Sequence, residues 1–209
     1  MAMGKKRDKK KIVRYIYEGE LTEKVFFEHI KKYYPKSTAE PYPVFCGRGG
    51  TANSQVSNVL KVLHFDRIYL IIDEDFQTKG PIEDSVLRKL EEEWKLDKGV
   101  LNGVRYRDFL NYNKGRRPVI IFSNPSSIEG IILQILGKPK ESLEGKSTDD
   151  LKSQLSSYIS QYFKESNLTP PHSNEEKLKD FFVAKISKEL LEEKRGGIKE
   201  LNCILSIFE

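Results

Sequence analysis

Four runs of apolar, largely β-branched residues punctuate the first part of the chain: "KIVRYIY" (11–17), "YPVFC" (42–46), "RIYLIID" (67–73) and "RPVIIFS" (117–123). Runs of this length and composition predict buried strands. Between them the spacing turns helical. Leu21, Val25, His29 and Tyr33 recur on one face with Phe26 and Ile30 beside them, Thr22 is placed to cap this segment, and Pro35 closes it. Val56, Val59, Leu60 and Leu63 predict a helix over 52–65, behind the loop "GRGGT" (47–51). Another is expected from about Ile82 to Leu96, and apolar residues crowd a further one starting near Ser126 or Ser127. From Lys138 onward only helical patterns follow, broken most clearly at "NLTPPHSN" (167–174). The alternation predicts an α/β fold, with a mainly parallel four-stranded sheet covered by helices on both faces and a C-terminal helical extension. The expected organisation is a basic tail over 1–11, an α/β domain over 12–137 and a helical extension over 138–209 packed on that domain.

Composition narrows the class. The 209 residues are 38% hydrophobic and 32% charged, a globular balance. No window approaches the ~20 apolar residues of a membrane span, and the charged N-terminus is not followed by a signal-peptide apolar region, so a cytoplasmic protein away from membranes is expected. Cys46 and Cys203 lie far apart without CxxC spacing, which argues against a disulfide framework and a thiolate zinc site. The net charge is only +5, but its distribution is uneven. "KKRDKKK" (5–11) is a dense basic block, and "YRDFLNYNKGRRP" (106–118) sets basic residues among Tyr106, Phe109 and Tyr112. Arg105, Arg107, Lys114, Arg116 and Arg117 are therefore candidate contacts for nucleic-acid phosphates. A solvated tail and a polar surface helix would show the same composition.

The acids carry the chemistry. Glu18 follows the first strand, Asp73 and Asp75 end the third, and Glu129 stands just past the fourth. In open α/β sheets the carboxyl ends of parallel strands share one edge, where ligands bind. Carboxylates gathered there raise one another's pKa unless a cation intervenes. All-oxygen ligands without a histidine or cysteine pattern suit Mg2+ or Mn2+. The acidic strand "IYLIIDED" also fits a P-loop ATPase, but no GxxxxGK[ST] loop precedes it: Gly145-Lys146-Ser147 has Lys140 where the first glycine belongs and follows the acidic strand.

At these residues the chain resembles the Toprim fold of topoisomerases, primases and certain nucleases, with Glu18-Gly19 as its "EG" turn and Asp73-Glu74-Asp75 as its Asp-x-Asp pair. "YEGELTEKVFF", "DRIYLIIDED" and "IIFSNPSSIEGIIL", in that order, look most like the RloB-like branch, close to Toprim partners of ATPases in bacterial antiphage defence. The similarity spans roughly 12–136. It departs from the branch after Pro125, where Ser126, Ser127 and Ile128 displace the glutamate to Glu129.

The resemblance implies a Mg2+- or Mn2+-dependent nuclease acting on DNA or RNA, a structured RNA such as tRNA included. Glu18, Asp73 and Asp75 would be the catalytic set, Glu18, Glu23, Asp73, Asp75 and Glu129 the metal ligands, and an ABC- or SMC-type ATPase the partner. Glu20 and Glu23 also suit a helix N-terminus on electrostatic grounds alone. The alternative class is a nonenzymatic nucleic-acid-binding or sensor subunit that keeps a Toprim scaffold.

Overall fold

The computed structural model describes residues 12–17, 19, 21–41, 67–73, 96–100, 106–111, 117–123 and 125–209. In chain order they form β1 (Val13–Tyr17), α1 (Thr22–Tyr33), β2 (Ala39–Pro41), β3 (Arg67–Asp73), β4 (Leu96–Val100), β5 (Tyr106–Asn111), β6 (Arg117–Ser123) and α2 (Ile128–Ile135). A short 3-10 turn, Lys140–Ser142, leads into α3 (Thr148–Glu165), α4 (Asn174–Lys185), α5 (Lys188–Arg195) and α6 (Lys199–Leu205).

The fold is mixed α/β, and its sheet is larger than the sequence predicts. Six strands lie in the order β2-β1-β3-β6-β5-β4. β2, β1, β3 and β6 run parallel, and β5 and β4 extend the sheet antiparallel beyond β6. The basic-aromatic segment therefore contributes the strand β5. Leu96, expected to end a helix, begins β4. Both were hidden by composition: "LDKGV" and "YRDFLN" lack the apolar runs of a buried strand, and their pairing is set by neighbours rather than by propensity. The predicted strand 42–46 and the predicted helices over 52–65 and 82–95 lie outside the described residues, and β2 falls slightly earlier, at Ala39–Pro41.

β3 is buried on both faces. Tyr69 and Ile71 join Tyr15 and Tyr17 of β1 in one core cluster, while Ile68, Leu70 and Ile72 are buried on the alternate face with Ile16. The cluster draws Phe26 and Phe27 from α1, Ile128, Ile131 and Ile132 from α2, and Phe181, Phe182, Leu201, Ile204 and Phe208 from the C-terminal helical region. Ring contacts stitch these pieces together, Tyr15 to Phe208 at 5.3 Å and Phe26 to Phe182 at 5.9 Å between centroids. Such aromatic burial, at roughly 3–5 kcal/mol per Phe truncated to Ala, fixes the helices around the sheet.

Candidate active site

The parallel register sets the geometry. Tyr17, the last residue of β1, lies beside Ile71, and Ser123, the last of β6, lies beside Asp73. The carboxyl ends of three strands thus share one edge. α1 and α2 begin at this edge, and Glu23 and Glu129 are each the second residue of their helix. Both are buried, at 5% and 1% exposure, which is rare for an acid with no ion-pair partner.

Three local devices hold the acids. Thr22 is the first residue of α1 rather than its cap, and the capping position, Leu21, has no side chain able to accept. Glu23 folds back instead, and its carboxylate accepts from its own backbone N–H and from that of Gly19. Only glycine permits this approach, because a methyl at Gly19 would overlap the Glu23 carboxylate. The second device is Asp73, whose Oδ1 accepts the Ile128 N–H at 3.2 Å and ties the start of α2 to the end of β3. The third is the turn before α2. Ser127 N–H reaches the Pro125 carbonyl at 2.6 Å around Ser126, which holds a left-handed φ of 54° while its Oγ donates to the Lys146 carbonyl at 2.6 Å. Gly130 lies so close to the Pro125 carbonyl that a side chain would collide with it. A non-glycine residue in this region is strained, and such strain gathers at functional sites.

Unsatisfied polar atoms concentrate here. Among the described residues, six buried side-chain polar atoms have no hydrogen-bond partner, and four of them belong to Ser123, Ser127 and the two oxygens of Glu129. Native proteins leave few such atoms, so four at one junction mark a place built for something other than packing. Burial, and next the charge of Glu129, push the Glu23 carboxyl up to about 7 against the pull of the two backbone N–H groups and Lys152. A pocket of about 310 Å³ opens beside Glu129, between α1, α3 and α4. Leu133, Leu143 and Leu151 form a small apolar cluster that seats the start of α3 against α2 and so places Lys152 at this pocket.

Of the acids chosen from the sequence, Glu23 and Glu129 lie within reach of each other's charge, and Asp73 stands at the end of β3 bonded to the first N–H of α2. Glu18 and Asp75 lie outside the described residues. Among the described residues no group of three or more His, Cys, Asp or Glu side chains is placed to hold a metal ion. Of the basic candidates, Arg117 opens β6 at the edge opposite Ser123, about 20 Å away at strand rise, and does not border the acids. Arg107 lies within β5 opposite Ile120, while Arg105, Lys114 and Arg116 lie outside the described residues. Cys203 is buried and its thiol is pushed up to about 11, so it offers no thiolate ligand. Sequence reasoning missed Lys152, Ser123 and Ser127; only Ser127 carried a signal, as a serine in a helix-start turn.

No protein-family model matches the chain, and neither curated proteins nor solved structures give a match. Among the described residues no helix is long and apolar enough to cross a membrane.

Proposed function

We propose that the chain is a Toprim-type, RloB-like nuclease that hydrolyses phosphodiester bonds in DNA or RNA with a divalent metal. One observation carries the reading: Glu129 is held at the carboxyl edge of a parallel sheet, with both oxygens buried and unpartnered, within the electrostatic reach of a second buried acid. An uncompensated buried carboxylate costs several kcal/mol, and a cation offsets that cost. Oxygen donors of this kind fit a hard divalent ion.

By the sequence pattern Glu18, Glu23, Asp73, Asp75 and Glu129 would be the metal ligands; among the described residues Glu23 and Glu129 feel each other's charge, and the full set depends on Glu18 and Asp75. A bound Mg2+ or Mn2+ supplies polarisation of the scissile phosphate and a water of lowered pKa. The chain's own residues prepare the place. Gly19 N–H and the field of Lys152 favour the charged form of Glu23. Asp73 orients α2 through its bond to Ile128 N–H, and thereby fixes where Glu129 stands. Glu18 would act as ligand or general acid/base. The resemblance adds an ABC- or SMC-type ATPase partner and a role in antiphage defence to the proposal.

Purified protein incubated with labelled DNA and total RNA in Mg2+, Mn2+ or EDTA tests this directly. Cleavage that requires the metal and disappears in Asp73→Asn, with melting temperature retained, is the expected result. Absence of metal-dependent cleavage with or without an ATPase partner would return the chain to the nonenzymatic binding class.

A further inference from the structure

The pocket beside Glu129 has a cationic, hydroxyl-bearing wall. Lys152, Ser156 and Ser160 recur every fourth residue along one face of α3, and Asn174 and Lys177 face them from the first turns of α4. Neither ammonium group has an ion-pair or hydrogen-bond partner among the described residues. The contrast with neighbouring lysines is sharp. Lys24 of α1 and Lys179 of α4 both hold Glu175, at 3.1 and 2.6 Å, and Glu176, the other acid of this turn, accepts from Ser173 Oγ at 2.8 Å. The acids of this turn are thus already engaged; Lys177, and Lys152 whose charge is felt at Glu23, stay without a direct partner among the described residues and can meet something that enters.

A group entering there meets two ammonium groups, three hydroxyls counting Thr22, and an amide, donors suited to phosphate oxygens, over an apolar floor of leucines and Ile159 with Glu129 at its margin. At about 310 Å³ the pocket lies at the lower end of ligand-site volumes, room for one nucleotide-sized group and too small for a duplex. An anion this close to Glu129 and Glu23 also needs cations between it and them, and Lys152 stands near enough for its charge to be felt at Glu23.

We infer that this pocket is a phosphate subsite for a single-stranded nucleic-acid segment, in which Lys152 and Lys177 each neutralise one backbone phosphate while Ser156, Ser160 and Asn174 donate to its oxygens. Its place next to a scissile bond rests on the nuclease reading; its recognition of a strand does not. The C-terminal helices α3 and α4 then supply substrate contacts as well as core.

The test uses the full chain and labelled single-stranded DNA and RNA, with binding followed by fluorescence anisotropy across a salt series in EDTA and cleavage followed in parallel in Mg2+. Removing two phosphate contacts in Lys152→Gln/Lys177→Gln should reduce the slope of log affinity against log salt by about 1.4, at ~0.7 per phosphate on a single strand. Melting temperature should not change, because Lys152 is exposed and Lys177 half-buried. Lys140→Gln/Lys199→Gln removes the same charge outside the pocket lining and should leave the slope alone. Three results would overturn the subsite: a wild type that binds no strand, a pocket variant with an unchanged slope, or a control that lowers the slope equally. Lysine-dependent binding without cleavage would keep the subsite and sink the nuclease reading instead.

Discussion

The helices start in two different ways. α3, α4 and α5 each begin on a serine, Ser147, Ser173 and Ser187, whose Oγ accepts the backbone N–H three residues on at 3.2 Å. For α3 the arrangement is reciprocal, with Asp150 reaching back to Ser147 N–H. α1 and α2 have no such cap. Leu21 has no acceptor, and Ser127, the right residue in the right place, leaves its Oγ unpartnered while Asp73 of another strand takes the first N–H. The three serine caps serve their helices, whereas α1 and α2 have given their N-termini to acids; α6, which follows Ile198, also lacks a side-chain cap but lies outside this site. Positive helix ends favour carboxylates, so the starts that look poorly built for stability are well built to hold Glu23 and Glu129 in place.

Replacing the acids tests that contrast most strongly. Glu129→Gln keeps shape and removes charge, and cleavage should fall by at least about 100-fold, the loss that follows when reacting groups are misplaced. Metal-free melting temperature should hold or rise. A variant that unfolds instead would make Glu129 an ordinary structural acid.

A smaller effect is expected at Gly19→Ala. The added methyl displaces the Glu23 carboxylate, and activity should drop on the order of 10-fold, as when a group that orients a ligand is lost. Cleavage at the wild-type rate would show that Glu23 does not need its seat.

The pH dependence should distinguish two sites on α1. The Glu23 carboxyl, raised to about 7 from an ordinary 4.5, binds a proton more tightly folded than unfolded. Its contribution to stability is full below the ordinary value and is lost as pH rises through about 7. His29 runs the other way. It is buried, its Nε2–H donates to the Ile186 carbonyl at 2.7 Å, and burial lowers its pKa below the ordinary 6.5, so its contribution is lost on acidification. Metal-free melts should therefore lose their decline toward neutral pH in Glu23→Gln and their decline toward acid in His29→Gln. An unchanged profile in Glu23→Gln would mean that burial does not hold its proton.

The smallest change is Ser147→Ala at a capped start. It should cost about 1 kcal/mol, or roughly 2–4 °C for a chain of this size, with cleavage unaffected. Loss of cleavage there would blur the distinction between the two kinds of start.

The same distinction explains what could be read from the sequence. β1, β3 and β6 were legible because they are written as largely apolar runs, and β3, buried on both faces, is the clearest of them in "RIYLIID". The helix of Leu21, Val25 and His29 was legible from its spacing, and the acids from their position after strands. β4 and β5 were not, because an edge pair with Asp97, Lys98, Arg107 and Asp108 takes its extended shape from the neighbouring strand. The cap expected at Thr22 failed because the helix starts one residue earlier: Thr22 is already helical, the cap position falls on Leu21, and the Glu23 carboxylate takes the Glu23 N–H of that first turn. Lys152 could not be found from spacing, since nothing in α3 itself says that it faces α2 and Glu23.

All eight residues of α2 are buried, Glu129 among them. A helix with no solvent side cannot fray, tilt or slide while the core around it stays packed, so the acid it bears shares the lifetime of the whole fold. Under the nuclease reading, loss of cleavage on heating is therefore expected at the unfolding temperature and not below it, as parallel activity and melting curves would check.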